Sequence, residues 1–311
     1  MWFRMHSSSP TGSEPPPAPP RSKWKGPLLR LSLFYLILNL GLYFFQYFFL
    51  YQPTRMTIAE VEAKAAKSNV KLWPSGPTYA PENYRGFIAG PEDSPKSGTI
   101  VIFHGNAGDA LDRDFLVPLF RARGLRVLLL EYPGYAARSG AVGERAILPA
   151  MIAALKPARA EFPGPFYILG ESLGAGVAAS AIRSSQIKID GIALITPWDT
   201  LPDLAADRFW FVPARWLVSD RYDTIANLKG INVPIAIIIA EHDEIIPRRR
   251  SERLFASIAE PKQWIELPRV GHNNWPVQFR FEDAARLVDF WQAHRIESET
   301  HFPADLPPPQ F

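Results

Sequence analysis

The chain has 311 residues, 47% hydrophobic and 21% charged, enough for one large domain of about 200–250 residues with appendages. It contains no cysteine, which excludes disulfides, thiolate metal sites and a cysteine nucleophile. The net charge of +3 does not mark a nucleic-acid binder. Arg4, Arg21, Lys23, Lys25 and Arg30 against Glu14 give residues 1–30 a net +4, so the remainder sums to −1, and no nucleic-acid motif accompanies the basic tail.

Residues 1–27 read as a disordered basic tail, with Pro-Pro-Pro-Ala-Pro-Pro at 15–20 favouring extended backbone over a packed fold. Residues 28–52 follow as a predicted transmembrane helix. Its uncharged run, Leu31 to Tyr51, would be about 31 Å long as a helix, the hydrocarbon thickness of a bilayer. Tyr43, Tyr47 and Tyr51 sit toward its C-terminal end, where an aromatic belt belongs. A cleaved signal peptide fits less well, because the run ends in Phe48, Phe49, Leu50, Tyr51 and Gln52, with no small residue for cleavage. Arg21, Lys23, Lys25 and Arg30 before the span outweigh Arg55 just after it. That asymmetry predicts a cytoplasmic N-terminus, with the C-terminal domain on the opposite, periplasmic or lumenal, side. Residues 53–78 read as a stalk, in which Thr57 and Glu60 have the spacing of a capping box and start a helix over 57–67.

Over 79–296, short β-rich runs alternate with helical stretches, the pattern of an α/β fold with a mainly parallel sheet. Strands are predicted at 84–89, 99–103, 126–130, 166–169, 190–195, 234–239 and 263–267, nearly continuous in apolar character as befits strands covered on both faces. Helices are predicted at 110–123, 142–155, 173–185, 248–259 and 281–294. Segment 198–232 carries Trp198, Phe209, Trp210, Phe211 and Trp216 without a clear strand, and reads either as a small lid or as a loop folded on the core. Residues 297–311 read as a second disordered tail.

Gly170-Glu171-Ser172-Leu173-Gly174 is a G-x-S-x-G sequence, weak alone but placed between a predicted strand and a helix of small residues. A turn that tight needs glycine, and it presents Ser172 at a helix N-terminus, where the dipole favours developing negative charge. A serine hydroxyl also needs a base that is itself oriented by an acid. Asp243 follows strand 234–239 and His272 follows strand 263–267, giving the chain order Ser, Asp, His at the C-terminal ends of strands. Glu241, Glu244 and Asp199 compete as the acid, and His242 as the base, although His242 adjoins the acid on the same strand end. Backbone N–H groups of Leu173 and Asn106 are the expected oxyanion donors, Asn106 lying in the glycine-flanked loop His104-Gly105-Asn106-Ala107-Gly108. His104 is expected to brace that loop. No cofactor is implied, and the six histidines show no metal-ligand spacing.

Together these residues resemble the α/β-hydrolase superfamily, and within it the membrane-anchored Bem46-like group (ABHD13- and ABHD17-like hydrolases, near the serine aminopeptidase S33 profile). The resemblance spans about 80–295 and rests on FHGNAG at 103–108, EYPGYAARSG at 131–140, GESLG at 170–174, Asp243 and GHNN at 271–274. It departs at Ala136, where the group usually has glycine, and at Ala240-Glu241-His242, where a glycine often precedes the acid. The resemblance implies a serine hydrolase acting on the ester or thioester of an acyl or lipid-like substrate. Amide or peptide hydrolysis on the same triad is the alternative, and a non-catalytic binding protein on the same fold is a third reading.

Overall fold

The computed structural model describes residues 25–75, 80–89 and 97–295. The tails predicted at 1–27 and 297–311 lie outside the described residues, except that Lys25 to Pro27 already belong to the first helix. That helix, α1 (Lys25–Leu50), contains a stretch, Gly26–Leu50, long and apolar enough to cross a membrane. The chain divides within it, at Gly41, and everything from Leu42 onward forms a second compact unit.

In chain order the second unit contains β1 (Gln52–Pro53), α2 (Ile58–Lys67), β2 (Lys71–Trp73), β3 (Gly86–Ala89), β4 (Gly98–Phe103), β5 (Ala107–Gly108), α3 (Leu116–Arg121), β6 (Leu125–Leu130), α4 (Glu144–Glu161), β7 (Phe166–Glu171) and α5 (Leu173–Ser185). It continues with β8 (Gly191–Ile195), α6 (Leu201–Arg208), α7 (Ala214–Leu217), α8 (Thr224–Leu228), β9 (Ile235–Ala240), α9 (Arg248–Ser257), β10 (Lys262–Leu267) and α10 (Phe281–Ala293). Eight strands form one sheet in the order β10-β9-β8-β7-β4-β6-β3-β2. Every pairing from β10 to β6 is parallel, whereas β3 runs antiparallel to both β6 and β2.

Strand periodicity explains why these apolar runs build a three-layer domain. Val101, Phe103, Leu128, Leu130, Ile168, Ile192 and Ile237 point to one face and meet Ile147, Met151, Val177 and Ile182 from α4 and α5. Their neighbours Ile100, Ile102, Leu129, Leu169, Ile195 and Ile238 point to the other face and meet Leu116, Phe120, Leu287 and Trp291 from α3 and α10. Both faces are therefore dry, and each fully buried aliphatic side chain contributes about 1.5–3 kcal/mol.

Three expectations change on folding. The predicted helix 110–123 breaks into a 3-10 turn at Ala110–Arg113 and α3, while the one expected to stop at 155 continues through Pro157 to Glu161. The segment read as a stalk is instead part of the domain, with residues 76–79 outside the described residues. Its capping box forms as the sequence indicates, Thr57 N donating to Glu60 at 2.7 Å and Glu60 N to Thr57 Oγ1 at 3.3 Å. However, α2 buries Val61 and Ala65 in the core, β2 joins the main sheet, and β1 pairs with β5. Segment 198–232, read either as a lid or as a loop folded on the core, is helical (α6, α7, α8) and seats Trp198, Leu201, Tyr222 and Leu228 in the core, exposing mainly the stretch around Trp210 and Trp216.

Ala136 shows what the missing glycine costs. Its φ is +45°, the left-handed region that glycine enters without strain. It is held there by Thr54, whose carbonyl accepts from Ala136 N at 2.8 Å, and by Met56, whose N–H donates to Ala136 O at 3.2 Å. The chain that follows α1 thus clamps a strained turn of the domain.

Candidate active site

Ser172 sits between the end of β7 and the start of α5 with φ +51° and ψ −113°, a strained elbow that points its side chain away from both elements. The flanking glycines follow from close approach. A Cβ on Gly170 would lie 2.5 Å from Gly174 O and 2.8 Å from Ala175 Cα, while one on Gly174 would collide with Phe103 O and lie 2.5 Å from His104 O. Position 174 is therefore small because the loop after β4 lies against it, a reason that local turn geometry does not reveal.

His272 Nε2 is 2.9 Å from Ser172 Oγ, and His272 Nδ1 is 2.9 Å from Asp243 Oδ2. Ser172 and His272 are 7% and 8% exposed, so both are shielded yet reachable. The other oxygen of Asp243 accepts N–H bonds from Ile245 at 2.9 Å and Ile246 at 2.7 Å, which fix the carboxylate. The ring nitrogen facing that carboxylate donates, leaving Nε2 to accept from the serine hydroxyl.

The competing acids are occupied elsewhere. Glu241 accepts from Arg269 N at 2.7 Å, and Glu244 accepts from His272 N at 3.0 Å. A third bond, His242 N to Val270 O at 2.9 Å, completes a seam between the loops after β9 and β10. A Cβ on Gly271 would come within 2.4 Å of Glu244 Oε2 and would displace the carboxylate that His272 N donates to. His242 itself is exposed. Asp199 is buried, taking Arg250 Nη1 at 3.0 Å and Thr200 N at 2.7 Å, so its bonds tie α6 to α9.

The loop after β4 is braced from beneath. His104 is buried, with Nδ1 2.8 Å from Gly105 O and Nε2 3.0 Å from Glu131, and its ring stacks on Tyr132. Tyr132 OH donates to His104 O at 2.7 Å, and Glu131 also accepts from Ala110 N at 3.0 Å. Asn106 is held on three sides: its Nδ2 donates to Leu50 O at 3.0 Å, and its carbonyl accepts from Gln52 N at 3.0 Å and Tyr135 OH at 2.7 Å. Leu173, as the first residue of α5, has an N–H that precedes the helical hydrogen-bond ladder.

Sequence reasoning missed the ion pair next to the nucleophile. Glu171 is held by Arg113 through Nε at 2.6 Å and Nη2 at 3.0 Å, and by Trp275 Nε1 at 3.3 Å, with the pair only 14% and 12% exposed. Burial opposes the charge on Glu171, but Arg113 outweighs it and holds the carboxyl below the usual glutamate range. The signal available was an acidic residue at the variable position of the G-x-S-x-G turn. Its partner lies 58 positions away, beyond the reach of any local pattern. Asn106's clamp by the end of α1 and Glu244's bond to the histidine loop were hidden for the same reason. Among the described residues no group of three His, Asp or Glu side chains is placed to hold a metal ion. A cavity of about 420 Å³ lined by Trp210, Trp216, Arg215 and Arg250 contains none of Ser172, Asp243 or His272.

Comparison with known proteins agrees with this fold. A family model described as alpha/beta hydrolase fold matches residues 98–233. The uncharacterised Mycobacterium tuberculosis protein Rv2307c is 31% identical over 234 residues, covering 73% of this chain and 83% of that protein. The lysophosphatidylserine lipase ABHD12 of Danio rerio is 26% identical over 183 residues, 52% of this chain and 48% of that one, so the match spans about half of the lipase. Among solved structures, Paleococcus ferrophilus monoacylglycerol lipase is similar at a TM-score of 0.51 and 19% identity, covering 66% of this chain and 99% of that chain. Est1E of Butyrivibrio proteoclasticus is similar at 0.54 and 15%, covering 67% and 96%. The chain belongs to the α/β-hydrolase superfamily and has the fold of a hydrolase.

Proposed function

We propose that the chain is a membrane-anchored serine hydrolase that cleaves carboxylic ester or thioester bonds of acyl or lipid-like substrates. The reading is carried by one observation: a single buried imidazole bridges Ser172 and Asp243, with 2.9 Å on each side. In the first half-reaction His272 Nε2 takes the Ser172 hydroxyl proton as Oγ attacks the acyl carbonyl. The N–H groups of Leu173 and Asn106 hold the resulting oxyanion, and Asp243 stabilises the imidazolium. Collapse expels the alcohol or thiol, which leaves with the proton from His272. Water then attacks the acyl-enzyme, gives its proton to His272, and releases the carboxylic acid as Ser172 recovers its proton.

An acyl substrate is supported by the similarity to a lysophosphatidylserine lipase and by an apolar helix of 25 residues at the head of the domain. The basic residues before that helix favour a cytoplasmic N-terminus with the domain on the other side of the membrane. The test is a panel of acyl esters and thioesters of rising chain length set against aminoacyl amides. Esters or thioesters are expected to turn over, with Ser172→Ala reducing kcat by about 10⁴-fold or more. Turnover of amides alone would overturn the ester reading, and unchanged ester turnover by Ser172→Ala would overturn the nucleophile.

A further inference from the structure

The last nine residues of α1 belong to the same unit as the hydrolase domain, and with Tyr51 just after them they bind it through specific side chains. Gln46 Nε2 donates to Leu217 O at 3.4 Å, Ser219 N donates to Gln46 Oε1 at 2.7 Å, and Tyr51 OH bonds to Asp220 and, at 3.1 Å, to Tyr222 OH. Phe44, Phe45, Phe48 and Phe49 fall on the opposite side of the helix and are exposed. Directly after α6 and next to Leu217 stand Trp210 and Trp216, which are 82% and 78% exposed and line one cavity together. Arg208 and Arg215 beside them are also exposed.

These facts fix a depth. The segment that Gln46 and Tyr51 hold also carries Arg215 and Arg221, both exposed, and an exposed charge does not lie in hydrocarbon, where it costs several kcal/mol. A helix that crosses a bilayer must therefore leave the hydrocarbon by about Phe45. That leaves Gly26 to Phe45 for the crossing, about 30 Å at 1.5 Å per residue, which matches the apolar thickness, with Arg30 snorkelling at the near end. The turn that grips the domain then sits among the headgroups. No free linker separates domain from bilayer, because Gln52 and Pro53 pair with β5 immediately after α1. Trp216 adjoins Leu217, the residue that Gln46 holds, and Trp210 lines the same cavity; indole rings partition best into the headgroup region, where arginines meet lipid phosphates.

We propose that the α6–α7 surface carrying Trp210 and Trp216 docks in the headgroup region of the bilayer that α1 enters. There it would take an acyl ester held in that bilayer. The proposal rests on the reading of α1 as a membrane anchor. It gives the substrate a route: the segment that leaves the bilayer also holds Asn106, through Leu50 O and Gln52 N, so one rim of the candidate site is built from the anchor's exit.

The test reconstitutes the full chain in phosphatidylcholine vesicles brominated near the headgroup end of the acyl chains, and compares it with Trp210→Phe/Trp216→Phe. Indole quenching is expected in the wild type, with the share due to these two residues lost in the double variant. Ser172→Ala is expected to be quenched like the wild type, which separates docking from catalysis. With Trp210→Ala/Trp216→Ala, KM for a vesicle-embedded acyl ester is expected to rise about tenfold while KM for a soluble short-chain ester stays the same. A chain that floats with vesicles but shows no quenching assignable to Trp210 and Trp216 overturns the docking surface alone. Shielding of these residues from a soluble quencher without lipid quenching points to a second copy and also overturns it. A chain that does not float with vesicles overturns the anchor and the docking together.

Discussion

Ser172, His272 and Asp243 are each held in place by neighbouring groups. Two backbone N–H groups fix Asp243, Glu244 fixes the backbone of His272, and the Arg113–Glu171 pair underlies the turn that presents Ser172. The ion pair carries a distinct prediction. The folded value of Glu171 lies below that in the unfolded chain, so its contribution to stability is complete above the ordinary glutamate range. It drains away as pH falls through the lowered folded value. Glu171→Gln leaves Arg113 without its counter-charge and is expected to cost about 3–5 kcal/mol at neutral pH. Urea unfolding midpoints followed from neutral to acidic pH should show the variant's deficit shrinking toward acid. A deficit independent of pH would mean that packing, not charge, explains the loss.

At the scale of elements, the central strands were legible because each is a run of apolar residues covered on both faces, and their positions match the sequence reading closely. The sheet edge was not. β2 has three residues and pairs antiparallel, too short for any periodicity to register. α2 was visible as a capped helix, but its burial was not, since only Val61 and Ala65 of its ten residues are buried. The order of Ser172, Asp243 and His272 was readable because each follows a strand, whereas Glu241 and Glu244 act through backbone groups on a different loop. Packing between elements adds constraints of its own. Trp291 of α10 stacks on Tyr167 at 4.6 Å and covers Gly191, where a Cβ would come within 2.6 Å of the indole Cγ. Gly191→Ala should displace that ring and destabilise the domain by about 1–3 kcal/mol in thermal unfolding. An unchanged midpoint would show that α10 can shift away from the sheet.

The whole molecule joins a hydrolase domain to a helix of membrane-crossing length without a spacer. The end of that helix contacts the α6–α8 segment through Gln46 and Tyr51, and the loop carrying Asn106 through Leu50. A tethered domain free to wander would have no need of such contacts. On the proposed reading of α1 as a membrane anchor, the same contacts would set the height and orientation of the domain on its bilayer, an arrangement that suits acyl groups in the membrane better than soluble peptides. The proposed hydrolysis depends on Ser172 acting as a nucleophile, and its most direct test is labelling of the protein with a fluorophosphonate, which traps an activated serine covalently. The wild type should be labelled at Ser172 and Ser172→Ala should not be labelled. Equal labelling of both proteins would contradict the account.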